Sequence, residues 1–167
     1  MQKTINLLGI IALGSFVAGM FPAVGIYFSI LGFILTTVLY AKVDKLGYGT
    51  NLLNFTLYQW VVILVPTGIL TYLGVERFSQ GSNGVTYLII MLVVALLLFL
   101  AFTNYFIAKS LLSLGEQTDS LWFKISGTLT KVGAFTMPIL LGMLFVMLAQ
   151  PFFLLGCILY KPTGEMK

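Results

Sequence analysis

The chain has 167 residues, 59% of them hydrophobic and only 8% charged, with a formal net charge of +4. Soluble domains carry roughly 25% charged residues, and a chain this short cannot hide so much apolar surface from water, so lipid is the expected solvent. The nine basic residues are scattered along the sequence; nucleic acid needs a basic patch, and no nucleic-acid partner is expected.

Residues 4–41 are apolar almost without interruption. As one helix they would run about 57 Å at 1.5 Å per residue, against a hydrocarbon core about 30 Å thick. The chain must therefore turn, and FPAVG at 21–25 supplies the turn. Pro22 lacks a backbone donor and restricts its predecessor, and Gly19 and Gly25 relax the backbone on either side. The pattern predicts helices over about 4–20 and 23–41. Lys3 followed by an apolar run also fits the start of a cleaved signal peptide. The apolar character continues through the would-be cleavage region, so the segment is expected to stay as a helix.

KVDKLGYGT at 42–50 reads as a polar loop. A third helix is predicted over 51–74, with Pro66 tolerated in its later half because neighbours in a membrane can satisfy the freed carbonyl, and a kink is expected near Thr67. VERFSQGSNG at 75–84 reads as the next loop, with Asn83-Gly84 as its turn signal. A fourth helix is predicted over 85–108. In KSLLSLGEQTDSLWFK, Leu111, Leu114, Leu121 and Trp122 recur at helical spacing among polar residues. That pattern predicts a short interfacial helix over 109–121, with Trp122 at headgroup level. Asp119 or Ser120 is placed to cap the helix that follows. The last apolar run, about 123–160, is too long for one crossing. Gly142 and Gln150-Pro151 are its candidate breaks, which puts a hairpin tip within 142–151.

The expected fold class is thus an all-α membrane protein forming one integral membrane domain. It has about six helical segments: two short outer hairpins flank two longer transmembrane helices, with a short interfacial helix added. The outer helices barely reach across the hydrocarbon core, so hairpins that dip in without crossing stay open as an alternative to full spans. Orientation follows from the charges. Lys3, Lys42, Lys45, Lys109, Lys124, Lys131, Lys161 and Lys167 fall on one side, and Arg77 alone on the other. The lysine side is expected to be cytoplasmic, with both termini there and the protein in the cytoplasmic (inner) membrane.

The two outer hairpins also overlay at a constant offset of 124, which pairs Gly9 with Gly133, Leu31 with Leu155, Gly32 with Gly156, Ile34 with Ile158 and Leu35 with Leu159. A repeat of that kind would be related by an axis along the membrane normal. Chance matches in apolar sequence are the competing explanation.

Three stretches carry a resemblance to a known family. The first is the opening hairpin, LLGIIALGSFVAGMFPAVGIYFSILGFILTTVLYAKV. The second is NLLNFTLY, with Asn54 in the place of an asparagine that opens the third helix. The third is AKSLLSLGEQTDSLWFKISGTLTKVGA, with Lys109, Ser110, Leu114, Phe123, Gly127 and Gly133. In these the chain resembles the small prokaryotic integral membrane proteins grouped as domain of unknown function nine hundred ninety-six. Pro138 and Gln150-Pro151 depart from the smooth apolar hairpin of that family. The resemblance implies a membrane topology and no chemistry.

Reactive side chains are scarce. There is no histidine, and Cys157 is the single cysteine, so the commonest metal ligand and general base are missing. A haem, iron–sulfur, zinc or copper site held by this chain alone is not expected, and neither is any other cofactor. Cys157, within FFLLGCILY, reads as a small hydrophobe. The predicted spans contain no Asp, Glu, Arg or His, and Lys131 can snorkel to the surface. Ionisable groups inside a bilayer mark proton relays and ion paths, so an ion-coupled pump is not expected. Asp44, Glu116, Asp119 and Glu76 read as solvated loop residues, Asp44 beside Lys42 and Lys45 and Glu116 near Lys109, in weak surface pairs. Asn54-Phe55-Thr56 matches a glycosylation acceptor, but it falls on the cytoplasmic side.

Two groups of residues stand out. Asn51, Asn54 and Tyr58 share a face of the third helix, with Gln59 flanking, and Asn104 would lie at the depth of Asn54 on the fourth. They are read either as interhelical packing through hydrogen bonds or as a polar pocket for a ligand or headgroup. Small residues spaced by four, Gly14 with Ala18, Ser15 with Gly19 and Gly25 with Ser29, let helix backbones approach closely. They serve either this fold or a partner protein. The expected function is a non-catalytic accessory, assembly or scaffold component, with the bilayer and a homo-oligomer or larger membrane complex as partners. The alternative is a small pore or transporter for a neutral or lipidic solute. A membrane enzyme using loop carboxylates is the third reading.

Overall fold

A computed structural model describes the backbone of residues 1–21, 25–73 and 83–160, and side chains at 1–21, 25–66, 68 and 90–160. Six α-helices and no strand occur among these residues: α1 (Gln2–Ala18), α2 (Gly25–Asp44), α3 (Leu52–Leu73), α4 (Asn83–Gln117), α5 (Leu121–Thr136) and α6 (Leu141–Ile158), with a 3₁₀ turn, Met137–Ile139, between the last two. Among the described residues, Gly25–Asp44, Ile90–Gln117 and Leu141–Ile158 are long and apolar enough to cross a membrane, and Gln2–Ala18 and Leu52–Pro66 are shorter apolar helices. Large apolar side chains such as Leu7, Ile26, Val61, Met91 and Met147 are exposed all round the outside. Together these make it an all-α membrane protein with lipid against its surface.

The polar joints lie at one end. Asp44 closes α2 and opens α3: its carboxylate accepts from the Leu52 and Leu53 N–H groups at 3.1 and 2.8 Å and from the Thr50 hydroxyl at 2.6 Å. That is an N-cap supplied by the preceding helix, not the weak pair with Lys42 or Lys45 expected from the sequence. Gly47 and Gly49 bend the intervening loop at φ of +84° and +66°, where side chains are disfavoured. Gln2 and Asn6 of α1 donate to the Tyr160 and Ile158 carbonyls at 3.0 and 2.6 Å, satisfying the end of α6. The Tyr48 and Tyr160 hydroxyls meet at 2.8 Å, and Gln117 donates to the Tyr48 carbonyl at 3.2 Å. Tyr160 lies beyond α6, and burial, with Tyr48 beside it, raises its phenol well above the ordinary value.

Each helix packs on the next, and α6 returns to α1, so the six close into a ring. At the jointed end the ring is solid. Leu39, Val43, Leu111, Leu114, Phe123, Phe153, Leu154 and Cys157 form its core.

Two boundaries differ from expectation. No separate interfacial helix follows residue 108: α4 runs unbroken to Gln117. Its Leu111 and Leu114 are buried in the bundle core, not laid along a headgroup layer. Gly115 and Gly127 let the α4 and α5 backbones close up, since a Cβ at either would sit 2.8–2.9 Å from a backbone nitrogen of the other helix. The last hairpin turns earlier than residues 142–151. Pro138 cannot continue the helix hydrogen bonding, and Leu140 takes φ 64°, reversing the chain at 137–140. Gly142 brings α6 against the Gly133 backbone of α5, and Gln150-Pro151 sits inside α6. The repeat at offset 124 fails for the same reason: it would put residues 19–21, which lie past the end of α1, on 143–145, within α6.

Elsewhere α3 continues through Pro66, and Asn83-Gly84 opens α4 instead of forming a loop turn. Most of the FPAVG turn, nearly all of the 75–84 loop with Glu76 and Arg77, and Lys161 and Lys167 lie outside the described residues.

Candidate functional site

Above the solid end, the ring encloses a cavity of about 280 Å³. Counted along the helices at 1.5 Å per residue, it lies roughly 6–18 Å from the jointed end. Its wall draws on five helices: Thr36, Thr37 and Tyr40 of α2, Thr56 and Gln59 of α3, Asn104 of α4, Thr130 of α5 and Gln150 of α6. Phe33, Trp60 and Ile63 complete it on the α2–α3 side. Phe33 and Ile63 are also exposed, so the mouth is at the α2–α3 seam, where Phe33 and Trp60 meet edge to face at 6.2 Å. No Asp, Glu, Lys or Arg lines this cavity.

The polar groups have a definite hydrogen-bond sense. The hydroxyls of Thr36, Thr37, Thr56 and Thr130 each donate to the carbonyl one turn back, at 2.8–3.0 Å. Their protons are thereby used, and the oxygen lone pairs remain. Asn104 donates to the Leu100 carbonyl at 2.8 Å. Gln150 lies against the Tyr40 hydroxyl, yet its Oε1 is buried without a hydrogen-bond partner. A buried unpaired acceptor costs about 1–3 kcal/mol. The wall is therefore neutral, rich in acceptors, and suited to a ligand that donates a hydrogen bond.

The sequence candidates divide. Gln59 and Asn104 line the cavity. Asn51, Asn54 and Tyr58 are exposed on the outer side of α3. The expected Asn54–Asn104 bond does not form; the α3–α4 link is Gln59 Nε2 to Thr103 Oγ1 at 3.0 Å. Of the small residues, Ser15, Gly19, Gly25 and Ser29 pack inside the first hairpin. A Cβ on Gly19 would meet Ser29 Oγ at 2.7 Å, and one on Gly25 would meet the Gly19 carbonyl. Ala18 is half-buried. Gly14 faces outward with open space around it. Sequence reasoning passed over Thr36, Tyr40, Thr56, Thr130 and Gln150. Thr56, Gln59 and Ile63 at i, i+3 and i+7 were the available signal on α3.

Glu116 makes no pair with Lys109; the ion pair among the described residues joins Lys124 to Asp119 at 3.0 Å on the surface. Cys157 is fully buried in the core, and no cluster of metal-binding side chains occurs among the described residues. In comparisons with known proteins, no family model, curated protein or solved structure matches the chain.

Proposed function

We propose that this protein is a non-catalytic membrane protein that takes a small neutral, hydroxyl-bearing amphiphile from the bilayer into the cavity between its helices. The observation that carries the reading is the unpartnered Gln150 Oε1 in an uncharged, acceptor-rich wall. A charged solute would find no counter-charge there. The apolar mouth at Phe33, Trp60 and Ile63 suits a hydrocarbon tail, and the solid core below argues for a binding pocket over a pore. The lysine distribution supports a cytoplasmic-membrane location with both termini inside. The family resemblance rests on the sequence motifs alone.

Trp60 and Trp122 are the two tryptophans, so Trp122→Phe leaves Trp60 as a reporter inside the site. A brominated long-chain alcohol should quench its fluorescence saturably, and a brominated alkane only linearly. Gln150→Leu should abolish the saturable component. Equal curves for alcohol and alkane, or an unchanged curve in Gln150→Leu, would overturn the reading.

A second reading, an accessory subunit of a larger complex, draws on Gly14. It is exposed beside the half-buried Ala18 and offers α1 a place where another helix can approach. Purification in mild detergent tests this: a stoichiometric co-purifying chain lost in Gly14→Leu supports it, and a lone monomer rejects it.

A further inference from the structure

The outer surface carries an inference independent of the central cavity. Between α4 and α5 runs a groove in two stretches that share Tyr105. The stretch nearer the 118–120 turn, about 370 Å³, is lined by Lys109, Lys131, Ser113 and Glu116. The stretch beyond it, about 470 Å³, lies over Ala101 and Ala134 between Phe102, Tyr105 and Phe135. The two alanines leave the hollow, and the exposed rings of Phe102 and Phe135 stand at its sides.

The lysines are oddly placed. Each lies roughly 12–15 Å along its helix from the 118–120 turn. That turn is level with the ends of α1 and α2, because Gln117 bonds to the Tyr48 carbonyl, Tyr48 to Tyr160, and Gln2 to the Tyr160 carbonyl. At comparable depth α1 and α2 expose Ile10, Ile11 and Ile34, which are lipid-facing side chains. Two lysines with no ion pair among the described residues thus stand at a level where α1 and α2 expose only large apolar side chains. Such charges call for an anion or a path to the surface. The lining carries two cations and one carboxylate, so one phosphodiester neutralises it. Ser113 Oγ accepts from Gln117 at 2.9 Å and keeps its own proton for a further acceptor, while Glu116 can accept only from a donor.

We infer that the α4–α5 groove binds one anionic phospholipid with a hydroxylated headgroup. Its phosphate sits between Lys109 and Lys131, its headgroup hydroxyls reach Ser113 and Glu116, and one acyl chain lies against Phe102, Tyr105 and Phe135. Basic pockets between membrane helices recognise anionic headgroups by this same attraction.

Native mass spectrometry of the whole protein with an equimolar mixture of phosphatidylglycerol, phosphatidylethanolamine and phosphatidylcholine of matched chains tests the site. The phosphatidylglycerol adduct should exceed each of the others about five-fold, the scale of one lysine's attraction to an anionic lipid surface. K109Q/K131Q should bring the three to parity, and K3Q/K42Q, equal in charge lost, should keep the preference. If the first variant does not fold, a photoactivatable phosphatidylglycerol on the unmodified protein decides, with cross-links expected within 101–113 and 131–135. Equal adducts, a preference for phosphatidylethanolamine, a preference surviving K109Q/K131Q, or cross-links confined to other helices would each overturn the inference.

Discussion

Asp44 serves two helices with one carboxylate. It ends α2 and accepts three hydrogen bonds from the start of α3, so Asp44→Ala should destabilise the protein by about 0.5–2 kcal/mol, and Asp44→Asn by less. Chemical unfolding in detergent would read the difference. The asparagines give a second test. Asn54 is exposed, so Asn54→Leu should leave both alcohol binding and stability, within about 0.5 kcal/mol, unchanged. Asn104→Leu should remove the saturable quenching of Trp60. The sequence put both residues at one depth by counting from a fourth helix that ends at 108; α4 runs on to Gln117, and Thr103 is level with Gln59, more than a turn beyond Asn54. Nor could the sequence place them on one face. In a helix that is apolar all round, hydrophobic periodicity does not say which side meets protein and which meets lipid. Of the eight polar wall residues, Gln59 and Asn104 were therefore legible, while Tyr40 looked like an ordinary residue of an apolar run and Gln150 like part of a break before Pro151.

Among the helices, glycine decides how close neighbours come. A Cβ at Gly127 would meet the Leu112 backbone nitrogen at 2.9 Å, and one at Gly133 the Gly142 carbonyl at 2.8 Å. Backbone cannot swing aside as a side chain can. Gly127→Ala and Gly133→Ala should each cost about 1–3 kcal/mol through overpacking. Gly14→Ala, with nothing within 4 Å, should be neutral or slightly stabilising through helix propensity. Thermal unfolding of the three variants side by side checks this contrast. That the described residues form six helices was readable from apolar run length against bilayer thickness. Their limits were not, where packing overrode local character. The polar stretch after residue 108 stayed in α4 because Leu111 and Leu114 are buried in the bundle core. The last hairpin turned at Pro138 and Leu140, which left Gly142 free to pack α6 against the Gly133 backbone.

For the molecule as a whole, the ring has a solid, hydrogen-bonded end and a cavity above it. If the lysine-rich end faces the cytoplasm, single cysteines at Lys45→Cys and Thr118→Cys, in a Cys157→Ala background, should react with a membrane-impermeant maleimide only after the cells are opened. Labelling in intact cells would reverse the topology. That lipid surrounds the bundle was legible from composition alone. Its closure was not, because no local pattern announces that the last helix returns to the first.

That closure brings the two extremities of the described chain within a hydrogen bond of each other, Gln2 Nε2 lying 3.0 Å from the Tyr160 carbonyl. The order in which the helices are strung is then separable from the way they are arranged. A rearranged gene that links Tyr160 to Met1 through a short flexible bridge, and begins instead between Gly47 and Gly49, asks the same six helices to assemble with α3 made first. Recovery of the same detergent-stable fold would mean that the ring, and not the sequence of insertion, dictates the final architecture.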